Sequence, residues 1–351
     1  MSLHGTGLAE LSTAKSAAAE QFLNTTEAPL AFAATEAPRA FIAFAASAKP
    51  ERNVVGVGMG PKLIEDRNTG EQCIRFYVKH KIRKAAIAQA FLLPDRFKGF
   101  KTDVIESGRF YAYPPASAAS ARSGGAGQER MRPAMPGCSV GFQFTGNEAD
   151  SLMAGTFGAV VTAGDLLYIL SNNHVLADEN RLPVGSPIFQ PGLLDQGDST
   201  LDQIAKLARL IPLAQRATNT VDCAIAEVLD RDSVNPAVYE IGPLASDQPI
   251  PAEVEMGVQK MGRTTHRTTG SVFDTSADLL VEYRMGQLKF QNQILIRDNN
   301  GNFCRQGDSG ALIIDQQTKR ATALLFGASN EFTIANHLTE VLKALEVGLV
   351  S

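Results

Sequence analysis

The sequence predicts a mainly β protein preceded by a small α+β unit, and three observations carry that reading. After Pro136 the apolar runs are short and closed off by Gly, Pro, Asn or Asp, as at Ala159-Val160-Val161, Ile188-Phe189 and Leu312-Ile313-Ile314. Many such runs across roughly 210 residues suggest an all-β barrel or sandwich pair. Earlier, residues 53–59 and 72–79 read as two strands joined at a tight turn, Asn68-Thr69-Gly70. Between the two regions, residues 114–136 are Pro, Ala, Ser, Gly and Arg in composition without periodicity, the texture of a linker.

Taken in order, residues 1–49 form an Ala-rich arm, partly helical or disordered, broken by Pro29 and Pro38. Residues 50–113 make the α+β unit: the hairpin, a helical stretch at 84–92 that stops before Pro94, and a further strand at 102–106. Strands then follow at 159–161, 166–170, 188–189, 224–228, 279–283, 293–296, 312–314 and 321–326, and a helix at 338–345 closes the chain.

Composition excludes several functions. The 351 residues hold 33 Lys+Arg against 37 Asp+Glu, a net charge of −4, so no basic excess exists to hold a nucleic-acid backbone. No apolar run approaches the ~20 residues of a membrane span, and the N-terminus carries no basic-then-apolar leader. Neither nucleic acid nor membrane is expected as a partner. The four cysteines, 73, 138, 223 and 304, are too scattered for a zinc site or a disulfide framework, which points to a reducing, cytoplasmic setting.

Three short motifs carry chemistry. Gly307-Asp308-Ser309-Gly310 flanks a serine with glycines that free the backbone to expose its hydroxyl and turn N–H groups toward one point. A β-turn entering a buried strand explains the same four letters equally well. Leu166-Leu167-Tyr168-Ile169-Leu170 runs into Ser171-Asn172-Asn173-His174, leaving a histidine at a strand end, where a structural role is the commoner one. Thr220-Val221-Asp222-Cys223 opens another buried strand with an aspartate that would by itself be a turn residue.

The order His174, Asp222, Ser309, together with these contexts, resembles the trypsin-like, chymotrypsin-fold serine peptidases over residues 137–348. Gly262-Arg263-Thr264-Thr265-His266-Arg267-Thr268-Thr269-Gly270 looks like the strand opening the second barrel in bacterial members, with His266 in place of a usual glycine. Val54-Val55-Gly56-Val57-Gly58 and Pro136-Gly137-Cys138-Ser139-Val140-Gly141 extend the likeness to an intracellular group with an N-terminal α+β domain, which includes the plant narrow-leaf regulator and bacterial relatives.

The resemblance implies a chymotrypsin-like double β-barrel in residues 137–351, with barrels at about 137–245 and 250–337. It implies a serine endopeptidase with His174, Asp222 and Ser309 as the triad and the N–H groups of Gly307 and Ser309 as the oxyanion hole. Phe303 would form the base of the substrate pocket, and Phe326, Gly327 and Ala328 the strand that pairs with substrate. Asp308, which in secreted zymogens pairs with a freed N-terminal amine, needs another partner here, because a linker and a whole unit precede the peptidase. The expected partner is a protein or peptide substrate, and a homo-oligomer is left open. One rival reading is a catalytically weak scaffold of the same fold that binds peptides. Another makes the N-terminal unit a pro-segment removed by self-cleavage within residues 116–132.

Other signals are set aside. Gly56-x-Gly58-x-Gly60 leads into a hairpin rather than the helix a dinucleotide needs. Asp298-Asn299-Asn300-Gly301-Asn302 lacks the acid that closes a calcium loop, since position 309 is Ser309. Residues 79–84 are a basic run of the kind usually found on a solvated face, and His4 and His337 have no metal partners by spacing. No cofactor and no metal are expected.

Overall fold

The computed structural model describes residues 5–23, 53–64, 67–112, 125–144, 152–298 and 303–351. Most of the N-terminal arm (24–49), the linker residues 114–124 and the loop 299–302 lie outside the described residues. Within the arm, α1 (Gly5–Phe22) packs Leu11, Ala14 and Ala18, one helical stripe, against Val54, Val57, Phe76 and Val78. Its small side chains let the helix approach the sheet closely, and buried Lys15 pairs with Asp278 at 2.8 Å.

β1 (Val54–Ile64) and β2 (Arg67–Val78) form the expected hairpin. Ile64 pairs with Arg67 and Leu63 with Asn68, so Asn68-Thr69-Gly70 lies within the paired strand and is not the reversal; residues 65–66 lie outside the described residues. That triplet instead builds a bulge in β2: the register shifts between Pro61 and Leu63, Gly70 has φ +73°, and its N–H donates to Asn68 Oδ1 at 2.8 Å. The helix expected at 84–92 is two short 3₁₀ turns, Lys84–Ala86 and Gln89–Phe91, separated by extended Ile87 and Ala88. Nine residues are too few to stay helical unless a face is buried, and the first turn buries none of its side chains. β3 (Arg96–Phe97) and β4 (Phe100–Glu106) complete this sheet, with β4 parallel to β2, and β5 (Phe110–Tyr111) follows.

The described residues after β5 form two six-stranded antiparallel barrels. The first uses β6 (Ser139–Phe142), β7 (Gly155–Thr156), β8 (Ala159–Ala163), β9 (Leu166–Ser171), β10 (Pro187–Phe189), β11 (Gln203–Leu210), and, after the short β12 (Thr218–Asn219), β13 (Ala224–Val228). β7 and β8 act as one strand interrupted at Phe157 and Gly158, so pairing closes in the order β6, β7/β8, β9, β13, β11, β10 and back to β6. The second uses β14 (Gly257–Gly262), β15 (His266–Tyr283), β16 (Gly286–Asp298), β17 (Leu312–Asp315), β18 (Ala321–Ala328) and β19 (Phe332–His337). Its order is β14, β15, β16, β19, β18, β17 and back to β14. This is the chymotrypsin-like double barrel that the motifs imply. Closure pairs most strand edges, and the stretch of β18 that runs on past β17 is paired by β5.

Phe142, Phe157, Ile169, Ile188 and Leu207 fill the first barrel, and Val258, Val272, Ile294, Ile313 and Leu325 the second. α2 (Asn173–Leu176) follows β9, and α3 (Leu338–Leu345) ends on its predicted residues. α3 seals the seam between barrels with Leu338, Val341, Leu342 and Leu345, an i, i+3, i+4, i+7 stripe. β15 and β16 continue beyond the second barrel as a long hairpin. Its far half pairs with β1, Gly56 opposite Leu279, and with β5, Phe110 opposite Val281, so the N-terminal sheet runs on from the barrel without a break.

Candidate active site

His174 and Asp222 are brought together by strand register. β9 and β13 pair with Ser171 opposite Ala224, so the residues just after the first strand face those just before the second. The result is a hydrogen bond of 2.5 Å between His174 Nδ1 and Asp222 Oδ2. The other carboxylate oxygen accepts the N–H of Asn173 at 2.7 Å and of His174 at 3.3 Å. Asp222 is also fixed through its backbone: its N–H donates to Asn336 Oδ1 at 3.0 Å, and Asn172 Nδ2 donates to its carbonyl at 2.8 Å. Asp222 is fully buried, and a buried polar group of this kind is costly unless its hydrogen bonds are made.

Ser309 sits in the turn before β17, and a single first-barrel residue holds that turn. Thr156 donates its N–H to Ser309 O at 2.8 Å and its hydroxyl to Gly307 O at 2.8 Å, while accepting the N–H of Arg263 at 3.0 Å. Ser309 Oγ and His174 Nε2 are both buried, and neither has a hydrogen-bond partner among the described residues. The N–H of Asp308 goes to Arg305 O and that of Gly310 to Leu325 O, but those of Gly307 and Ser309 meet no acceptor among the described residues. Gly307 has φ +96°, and an added Cβ would run into Thr264 Oγ1 and the Arg263 guanidinium, so only glycine fits there.

Asp308 finds its partners inside the second barrel. One oxygen accepts the N–H of Thr264 at 2.8 Å and of Thr265 at 3.1 Å; the other accepts the Thr265 hydroxyl at 2.6 Å and the Arg305 N–H at 2.9 Å. Lys260 Nζ stands 3.6 Å from it. Burial pushes the Lys260 amine below its ordinary value, and the Asp308 charge works against that shift. Next to this loop Arg263 forms a buried bidentate pair with Asp195, joining the two barrels. His266 carries φ +55°, the left-handed conformation that the usual glycine would adopt.

Two residues near His174 had no sequence signal. Tyr283, at the tip of the long hairpin, donates its hydroxyl to Asp222 Oδ2 at 2.8 Å, and its ring meets His174 edge-on at 6.1 Å. Burial and the adjacent Asp222 charge hold its hydroxyl well above the ordinary tyrosine range, so it remains a donor. Glu179 docks the same tip by accepting the N–H groups of Arg284 at 3.0 Å and Met285 at 2.8 Å, and burial pushes its carboxyl up.

The four residues expected to bind substrate separate into two settings. Phe303 and Ala328 line a cavity of about 350 Å³ with Arg297, Asp298, Cys304 and Thr333, although the Phe303 side chain is almost wholly buried with the apolar residues of the second barrel. Phe326 turns away from it onto Phe290, with ring centroids 4.9 Å apart. The edge beside Gly327 and Ala328 is not open, because β5 pairs with it. Among the described residues no group of three or more His, Cys, Asp or Glu gathers as a metal site, and no helix is long and apolar enough to cross a membrane.

No family model and no curated protein matches the chain. Among solved structures, Thermobifida fusca protease A is similar at 16% identity and TM-score 0.43, over 62% of this chain and 98% of its own. A glutamic acid-specific serine protease, described as using a histidine triad in substrate binding, is similar at 19% identity and TM-score 0.44, over 62% of this chain and all of its own (100%). Cellulomonas bogoriensis chymotrypsin is similar at 16% identity and TM-score 0.41, over 62% and 97% of the two chains.

Proposed function

We propose that this chain is a serine endopeptidase that hydrolyses peptide bonds through an acyl-enzyme, akin to the intracellular trypsin-like group with an N-terminal domain. The observation that supports it most is the Asp222-bound imidazole, whose Nε2 is buried without a partner in the same fold as the equally unpartnered Ser309 Oγ. In this reading His174 Nε2 takes the Ser309 proton as Oγ bonds to the scissile carbonyl carbon, then delivers it to the departing amine as the C–N bond breaks. A water repeats the sequence to release the acid. Asp222 fixes the tautomer and stabilises the imidazolium, and the N–H groups of Gly307 and Ser309 receive the oxyanion, where a single donor is typically worth about 2.7–4 kcal/mol.

A fluorophosphonate probe tests this. Labelling of the parent that disappears in Ser309→Ala and falls sharply in His174→Ala is the expected result; a parent that never labels, or a Ser309→Ala variant that still does, overturns the assignment. The four free thiols suit a reducing compartment, and the proposal includes a cytoplasmic location, to be checked by fractionating cells that express the tagged chain.

A further inference from the structure

The strand edge that an extended peptide would use is already taken by the chain's own backbone. β5 lies antiparallel to β18, with Tyr111 opposite Ala328, and on its other side runs parallel to β15, with Phe110 opposite Val281 and Tyr111 opposite Glu282. It is the middle strand of three. Gly327 approaches it so closely that an added Cβ would collide with Tyr111 O. The chain continues in the same track: Ala112 N–H donates to Glu282 O at 3.0 Å, and the next residue of β15 is Tyr283, which touches Asp222. Side chains alternate as in a bound peptide, with Phe110 and Ala112 buried and Tyr111 38% exposed.

We propose that β5 is a pseudosubstrate strand acting in cis: it fills the β18 edge with which a peptide substrate pairs, and peptide hydrolysis requires its displacement. The proposal rests on the peptidase reading above and adds regulation of the same site. A strand edge offers one set of N–H and C=O groups and can satisfy one partner at a time. An incoming peptide therefore binds only in the fraction of molecules from which β5 has left, and its apparent affinity falls by that fraction. Two paired residues are a short strand to displace. Their upstream tethers are the Ser107 N–H bond to Val78 O at 2.9 Å and the Arg109–Glu282 ion pair at 3.2 Å, which lies partly exposed. β5 also describes the peptide that replaces it: extended, with a large apolar residue at the Phe110 place and a small one at the Ala112 place.

Tyr111→Pro removes a backbone N–H from β5 at a position whose side chain is not in the core, and Phe110→Ala removes the buried anchor. In either variant, kcat/KM for an extended fluorogenic peptide should rise about tenfold or more over the full-length parent, as expected when a minor open population becomes the major one. The amide of Ala328, the β18 residue paired with β5, should exchange faster with deuterium. The peptide acetyl-Arg-Phe-Tyr-Ala-amide, supplied in trans, should inhibit the variants competitively. Hydrolysis that stays flat or falls in both variants while the phosphonate probe still labels Ser309, or exchange at Ala328 that does not change, overturns the proposal. A parent that the probe never labels strikes the peptidase reading instead. If Phe110→Ala fails to fold, Tyr111→Pro decides alone.

Discussion

Lys260 Nζ lies 3.6 Å from Asp308 Oδ2, with both side chains fully buried next to the Gly307-Asp308-Ser309 loop. Lys260 thus supplies a cationic partner to Asp308 from within the same barrel. Lys260→Met leaves the Asp308 charge in the interior with neutral donors only, and breaking a buried pair in this way costs on the order of 3 kcal/mol. Urea denaturation should show that loss, and phosphonate labelling of Ser309 should slow by at least about tenfold as the loop relaxes. A fusion at the N-terminus, by contrast, should label at the parent rate. If Lys260→Met labels normally, the pair does not hold the loop.

Tyr283 and His174 share one oxygen of Asp222, at 2.8 and 2.5 Å. Tyr283→Phe keeps the ring, which stacks on Phe290 at 5.8 Å, and removes the hydroxyl. A hydrogen bond to a charged group contributes about 1.5–3 kcal/mol, so kcat/KM should fall by roughly tenfold. A Tyr283→Phe variant that keeps the parent kcat/KM would mean that the hydroxyl does not help to hold Asp222.

Strand positions were legible because alternation and turn residues are local signals: the elements expected at 166–170, 224–228 and 338–345 form there, the first running one residue further to Ser171. Closure into two barrels came only from the family resemblance, since the pattern alone left a sandwich pair open. Strand-end context alone favoured structural roles for His174 and Asp222; only their order with Ser309, through the family resemblance, paired them, and the structure joins the two by a hydrogen bond. Tyr283 and Lys260 were not legible, since their roles arise from pairings across 61 and 48 positions that no local period encodes. The burial of Lys260 in β14, Gly257-Val258-Gln259-Lys260-Met261-Gly262, is visible only in the structure. The misplaced turn at Asn68-Thr69-Gly70 shows the converse: turn chemistry marks a left-handed backbone, and a bulge needs that as much as a reversal does. That β5 lies along the edge beside Gly327 and Ala328 was not legible, because composition says nothing about which strand pairs there.

Three buried thiols make the fold sensitive to alkali. Burial pushes Cys73 and Cys138 up to about 12, and Cys223 upward as well with the Asp222 charge adding to the effect. In the unfolded chain these thiols ionise at about 8.5. The unfolded state therefore releases protons first, and the stabilisation present below that value is lost as pH rises toward 12, by at most about 1.4 kcal/mol per pH unit for each thiol. Urea midpoints between pH 8 and 11 should fall, and Cys73→Ala should flatten the decline. Parallel curves for parent and variant would exclude that thiol as a source.

Asp274 joins the N-terminal hairpin to β15 from a fully buried position. It accepts the Tyr77 hydroxyl at 2.7 Å and the Ser276 N–H at 2.9 Å, and Arg75 stands 4.0 Å away while donating to the carbonyls of Phe273 at 2.7 Å and Pro61 at 2.6 Å. Burial pushes the Asp274 carboxyl up, and the Arg75 charge restrains the shift. Arg75→Met should therefore cost more than Asp274→Asn: the first strands an anion in the interior, about 3–5 kcal/mol, whereas the second leaves Arg75 on two carbonyls, about 1–2 kcal/mol. The sign with pH follows. Without Arg75 the folded carboxyl binds a proton more readily than the unfolded one, so stability rises as pH falls through its raised value toward 3.8. The Arg75→Met deficit should shrink between pH 7.5 and pH 5 in urea titrations, while that of Asp274→Asn should not. Equal deficits at both pH values would mean that Asp274 is not the charge that Arg75 compensates.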